Sequence, residues 1–214
     1  MKHLSLVGLF TIGLFSLNAQ DAKIIQLNEH SKVRGVTVME AFQQRQTIRE
    51  YDSTPLSMQD LSDVLWAANG INRPNGKKTA PSAMNSQDVG IYVCLSDGAY
   101  LYDAVTNSLK QVTSQDIRSM MGRQAGTSVY LLLVSDLSNY RNYNPSNTEQ
   151  NKHLAEMSCL DAGIVSQNIS VCCAGLGLAT WPRAGMDQSG LRTALKLKDS
   201  QIIWLNHPVG YPKK

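Results

Sequence analysis

The chain has 214 residues, a formal net charge of +3, 43% hydrophobic and 17% charged residues. That length suits one domain burying about 70% of its unfolded surface, with the composition of an ordinary soluble globular protein. So small a net charge, with no run of Lys or Arg longer than two, excludes a nucleic-acid or acidic-membrane footprint.

Residues 1–19 read as a cleavable secretory signal and are set apart from the fold. Lys2 and His3 give a positive start, residues 4–17 form an apolar run of 14, and Asn18-Ala19 precede the expected cut. Fourteen residues fall short of the roughly 20 needed for a spanning helix, so no stable membrane anchor is expected. Leu17 is larger than the small residue usual three positions before a cut, and a retained anchor is the alternative. The expected product is exported, in a periplasm-like compartment, and a single domain over 20–214. Export permits disulfides, but Cys159 and Cys172 fall on one long predicted helix, about 20 Å apart at ~1.5 Å per residue. Buried free thiols are the expectation for these two, Cys94 and Cys173. No Cys-x-x-Cys or His-x-x-x-His spacing exists, so no metal site is expected.

Residues 38–45 read as a short amphipathic helix with Val38, Met39, Ala41 and Phe42 on one face. It delivers Arg45-Gln46-Thr47-Ile48-Arg49-Glu50-Tyr51, followed by a turn to Pro55. Two guanidinium groups flanking a hydroxyl can receive a phosphate; a solvated basic helix end is the plainer alternative. Ser57 is a predicted N-cap, with Asp60 three residues on, for a helix that stops near Gly70. Residues 72–78 are a loop by composition. Then comes Ala80-Pro81-Ser82-Ala83-Met84-Asn85-Ser86-Gln87-Asp88, small and amide-rich, ahead of a strand over 89–95. An amide such as Asn85 offers the donors and acceptor that a flat heterocycle's carbonyl and N–H edge requires; a polar loop with no ligand is the alternative. Residues 99–103 and 108–112 form a predicted hairpin.

Residues 114–124, containing Met120-Met121, are expected to be helical, and 128–135 to be a buried strand. Residues 138–147, with Tyr140, Arg141 and Tyr143, read as a mobile aromatic loop able to line a pocket, and Met121, Tyr140 and Tyr143 are the candidate substrate contacts. The longest helix, 148–174, is apolar around most of its girth and needs cover on several sides, naturally from a second subunit. Gly175-Leu176-Gly177 follows a helix rather than a strand, so it reads as a C-cap and not as a dinucleotide fingerprint. In Trp181-Pro182-Arg183-Ala184-Gly185 the small pair lets backbone approach a ring closely. A helix over 189–196, a strand over 201–205 and the tail to Lys214 complete the chain. There is no Gly-x-Ser-x-Gly, and His30, His153 and His207 are read as surface or packing residues.

Taken together, RQTIREYDSTP, PSAMNSQ, WPRAG and the Gly210-Tyr211-Pro212 ending resemble the nitroreductase family, over roughly residues 36–214. The hairpin's Leu101-Tyr102-Asp103 is similar to that of the azoline-dehydrogenase (SagB/ThcOx-type) branch, although Asn85-Ser86-Gln87 resembles ordinary nitroreductases more. The resemblance implies an α+β fold, with a mainly antiparallel sheet flanked by helices, in a homodimer. It implies FMN held by Arg45, Gln46, Thr47 and Arg49 at the phosphate, by Pro81, Ser82, Ala83, Asn85 and Gln87 at the ring edge, and by Pro182, Ala184 and Gly185 near N5, with Lys213 as the basic residue of the tail. No side chain is expected to be catalytic; the backbone of Ala184 and Gly185 assists ping-pong hydride transfer between a donor, NAD(P)H in the family, and a small aromatic or heterocyclic substrate. Gln46 stands where a second basic residue is frequent, and the chain ends soon after Lys213. Both departures leave open an exported flavin-binding protein, or a cofactor-free structural dimer, without turnover. Export also separates the protein from cytoplasmic NAD(P)H and points to another reductant or acceptor.

Overall fold

A computed structural model describes residues 23–123 and 126–214. The expected leader, and Gln124 at the end of one expected helix, lie outside them.

The sheet follows from two strands that are apolar on both faces. In β2 (Val89–Leu95), Val89, Ile91 and Val93 point to one side, Tyr92 and Cys94 to the other. In β5 (Val129–Asp136), Val129, Leu131 and Leu133 alternate with Tyr130, Leu132 and Val134 in the same way. Such strands belong at the centre, and they pair with each other. Around them stand β1 (Ile24–Gln26), β3 (Gly98–Asp103), β4 (Ser108–Thr113), β6 (Ala179–Thr180) and β7 (Gln201–Gly210), in the order β1-β4-β3-β2-β5-β7-β6. Among the described residues, these strands pair antiparallel throughout.

α2 (Met58–Asn69) and α3 (Thr148–Gly175) cover one face of the sheet through Leu61, Val64, Leu65, Val165 and Ile169. α4 (Gln188–Ala194) and the turn around Ile117 and Met121 cover the other. Ser57 caps α2 by accepting the Asp60 N–H, as the sequence predicts. Leu131 is fully buried under α3, so Leu131→Ala should cost about 2–5 kcal/mol by urea unfolding. A loss below about 1 kcal/mol would mean that this layer collapses around the deletion.

Several expectations need correction. Of the expected helix over 114–124, the described residues 114–123 form no α-helix: they hold only a 3-10 turn, Arg118–Met121. Asp116 accepts the Arg118 N–H and ion-pairs with its guanidinium, a local bond that competes with helix, and Gly122 at φ +85° ends the turn. A Cβ at Gly122 would fall 2.3 Å from the Gly185 carbonyl oxygen, so this turn abuts the 181–187 segment. The last strand runs past 205 to Gly210, so Pro208 and Val209 are sheet rather than tail.

The apolar face expected on α1 (Val38–Gln44) turns outward except for Ala41: Val38, Met39 and Phe42 are exposed. α3 is less apolar than its girth suggested. Its buried stripe carries Ser158, Asp161, Ser166 and Ser170, while Leu160 (63% exposed) and Ile164 (37%) face outward. Cys94 and Cys173 are buried free thiols, Cys172 is half-buried, and Cys159 is exposed rather than buried. His207 is a buried packing residue with partners that its sequence context hides. Thr180 Oγ1 donates to the Pro208 carbonyl and so accepts from Nδ1, which leaves Ser166 as donor to Nε2. Burial pushes this imidazole down to about 3, so it stays neutral. No helix among the described residues is long and apolar enough to cross a membrane.

Candidate cofactor site

α1 is anchored where Ala41 meets Gly175 at the end of α3, and Val36 N–H bonds the Gly175 carbonyl. Gly35 makes that crossing possible: it sits at φ +88°, and a Cβ there would press on Gly175 O at 2.9 Å. The chain leaving α1 runs along β6, with Ile48 N–H bonded to Thr180 O. This places residues 45–49 beside the start of the 181–185 segment, and the Arg49 guanidinium lies 4.9 Å from the centre of the Trp181 ring. The C-terminal tail returns to the same place, with Asp52 N–H bonded to Tyr211 O and Lys213 N–H to Glu50 O. Three of the four predicted stretches therefore converge: Arg45 to Arg49, Pro182 to Gly185, and Lys213.

What they present suits an anion beside a flat ring. Arg45, Gln46, Thr47 and Lys213 are exposed. Among the described residues, no hydrogen-bond or ion-pair partner holds the Arg45 guanidinium. A groove of about 390 Å³ is lined by Arg45, Gln46, Ile48, Ala174, Leu178 and Pro212. Ala184 and Gly185 are exposed, and a Cβ built on Gly185 meets nothing within 4 Å, so that side of the backbone is open. Beneath them Arg183 is buried. Its Nε donates to Asn206 Oδ1 at 2.8 Å, it donates to the Arg123 carbonyl, and its guanidinium lies 5.3 Å from both the Tyr130 and Trp181 rings. Trp181 Nε1 and Arg183 Nη2 are buried without a partner among the described residues. These donors, the open backbone and the unpaired cations fit a flavin phosphate and the polar edge of its ring.

The fourth stretch stands elsewhere. Ala83 N–H is bound by both oxygens of Asp161, in the middle of α3. Asp161 and Gly175 are about 20 Å apart along the helix at ~1.5 Å per residue. Met84, Asn85 and Gln87 have positive φ, so the loop is tightly wound. Asn85 and Pro81 are exposed, Ser82 accepts the Gln87 N–H through its hydroxyl, and Gln87 donates its amide to Gly76 O. Gln87 thus holds the loop together.

The candidate substrate contacts land inside the subunit. Met121 is fully buried in the core under α4, and Tyr140 is 2% exposed with its hydroxyl on Asp161 Oδ2 at 3.0 Å. Tyr143 is half-buried and packs on the small cluster of Leu137, Tyr140 and Leu154. The aromatic loop is consequently fastened at Tyr140, and of the three candidate contacts Tyr143 alone keeps partial exposure. Sequence reading missed Arg183, Asp161 and Asp88. The available signal for Asp161 was its place on the helical stripe of Leu154, Ser158, Ala162, Val165 and Ile169, where a carboxylate is out of character.

Comparison with known proteins matches this architecture. The family model "Nitroreductase family" matches residues 42–211. A protein of Methanocaldococcus jannaschii, whose name assigns it provisionally to the nitroreductases, is 27% identical over 173 residues, covering 78% of this chain and 86% of its own. A crystal structure from Ralstonia eutropha with the same provisional assignment superposes with a TM-score of 0.81 and 27% identity over the whole of both chains. A nitroreductase family protein of Clostridium difficile shares the fold at a TM-score of 0.58 and 17% identity, covering 84% of this chain and 86% of its own. The class defined is an α+β protein with the nitroreductase-like fold. The chain belongs to the nitroreductase family, whose members are typically flavin-dependent oxidoreductases.

Proposed function

We propose that the protein is an FMN-dependent oxidoreductase acting as a homodimer on a small aromatic or heterocyclic substrate. The observation that carries this reading is the separation of the four stretches. Arg45 to Arg49, Pro182 to Gly185 and Lys213 share one end of α3, while Pro81 to Gln87 stands about 20 Å away along it. One chain offers two half-sites, and a second chain packed against α3 in the opposite sense would complete both. The outward Leu160 and Ile164, with Val38, Met39 and Phe42 on α1, give that packing an apolar face.

Bound FMN would supply hydride transfer at N5, from a donor and then to an acceptor. The chain's own part is binding and orientation. Arg45 and Arg49, with Thr47 and Gln46, hold the phosphate, and Lys213 adds charge at the tail. Ala184 and Gly185 present backbone to the reacting edge, and Asn85 reads the pyrimidine edge from the partner chain. The donor in the family is NAD(P)H. For an exported chain cleaved near Ala19, a different reductant, or a quinone or oxygen as acceptor, fits better. The β3–β4 hairpin favours the azoline-dehydrogenase branch, and with it heterocycle oxidation.

The test is an absorbance spectrum, after desalting, of residues 20–214 mixed with FMN. Bands retained near roughly 370 and 450 nm, from the bound cofactor, are the expected result. A colourless folded dimer would overturn the enzyme reading in favour of a structural one.

A further inference from the structure

The loop proposed to read the flavin edge is held by two buried carboxyl groups. Asp161, on α3, is 4% exposed, receives Ala83 N–H on both oxygens at 2.9 and 3.0 Å, and receives the Tyr140 hydroxyl at 3.0 Å. Asp88, at the start of β2, is 2% exposed and accepts the Ser86 hydroxyl on Oδ1 at 2.9 Å. Its second oxygen, Oδ2, is buried with no donor among the described residues. Two residues of one short loop, Ala83 and Ser86, thus hang on two different carboxyls, Asp161 and Asp88.

We propose that Asp88 and Asp161 are positioning residues that act as one acid pair: a proton on Asp88 holds the 81–87 loop in its flavin-reading shape, and its loss loosens that loop. The proposal rests on the flavin reading of the loop given above. The physical ground is the bare Oδ2. A buried carboxylate oxygen without a donor is costly, whereas a protonated carboxyl there can donate toward Asp161. Ionisation of both places two negative charges in a low-dielectric region beneath three residues at positive φ.

The groups facing Asp88 are Ser86 in its own loop, Ser135 on β5, Tyr140 beyond β5, Asp161 on α3 and Lys78 from the preceding segment. Asp136 shares the roughly 240 Å³ cavity that Asp88 and Lys78 line. Lys78 is the cation of this set, and burial lowers its pKa. Burial first, and Asp161 beside it, push Asp88 up to about 6 from 3.8. An acid raised by folding supports the ordered state fully below its unfolded value and loses that support as pH rises through about 6. The loop is therefore firmer at pH 5 than at pH 8.

Asp88→Asn tests this, because its amide donates permanently and carries no charge. FMN dissociation constants are measured by flavin fluorescence at pH 5 and 8 for both proteins; the phosphate's own titration is common to both and cancels in their ratio. The expected wild-type to variant ratio is near one at pH 5 and at least threefold at pH 8, and a ratio flat with pH overturns the proposal. Amide exchange of Ala83, Ser86 and Gln87 in the flavin-free wild type, corrected for intrinsic pH dependence, gives an independent reading should the variant fail to fold. Protection falling between pH 5 and 8 supports the pair, and unchanged protection overturns it. Failure to bind FMN at either pH would sink the flavin reading alone, since the exchange result does not depend on it.

Discussion

Replacing Arg45 and Arg49 together by alanine is expected to abolish FMN retention through desalting. Hydrogen bonds to charged groups contribute about 1.5–3 kcal/mol each, so losing two weakens binding by about 3–6 kcal/mol, or roughly 10²–10⁴-fold. Both side chains are exposed, and neither makes an ion pair among the described residues; the fold should change by less than about 0.5 kcal/mol. Arg49 also lies over Trp181, so the double variant removes a cation from the ring beside the Ala184–Gly185 backbone. Titration with FMN followed by flavin fluorescence measures the effect, and unfolding curves control for stability. Affinity within threefold of wild type would show that the phosphate lies elsewhere.

Placing glutamate at both Leu160 and Ile164 is expected to give a monomer that retains no flavin. Both side chains face outward from α3, so the substitutions leave the subunit core alone. Burying an aliphatic side chain contributes about 1.5–3 kcal/mol. A twofold interface would lose four of them, about 6–12 kcal/mol, against the roughly 12 kcal/mol of a nanomolar dimer. Sedimentation reports the assembly and absorbance the cofactor. A dimer that persists would move the interface off this face. A monomer that still binds FMN would show that one chain suffices, which the 20 Å between Asp161 and Gly175 argues against. Arg45/Arg49 and Leu160/Ile164 attack the same retention by separate routes, charge in the first and assembly in the second, so disagreement between them is informative.

The sequence by itself determined what depends on neighbours along the chain. The apolar runs in 89–95 and 128–135 marked two strands, the second of them buried, because a strand that is apolar on both faces needs cover on both sides. Ser57 with Asp60 marked the start of α2 because the cap bond spans only three residues. Gly175 to Gly177 read as the end of α3, and Gly177 indeed sits at φ +69°. The order of the arginine pair, the small amide-rich loop and the Ala184–Gly185 segment named the family, since each motif is a short string.

The tertiary structure alone decided what depends on residues far apart in sequence. Residues 114–124 read as a helix, but over 114–123 the Asp116–Arg118 pair and the fit of Gly122 against Gly185 settle the chain as a turn. Periodicity said that α1 has an apolar face, not that it faces away from its own core; only the crossing at Ala41 and Gly175 fixes the rotation. Tyr140 and Met121 looked like pocket residues because aromatic and sulphur side chains serve either role, and burial alone distinguishes them. Asp161 became part of the candidate site through Ala83, 78 residues away in the chain. A local pattern carries no term for such a contact, because the energy that places it comes from packing α3 against the sheet.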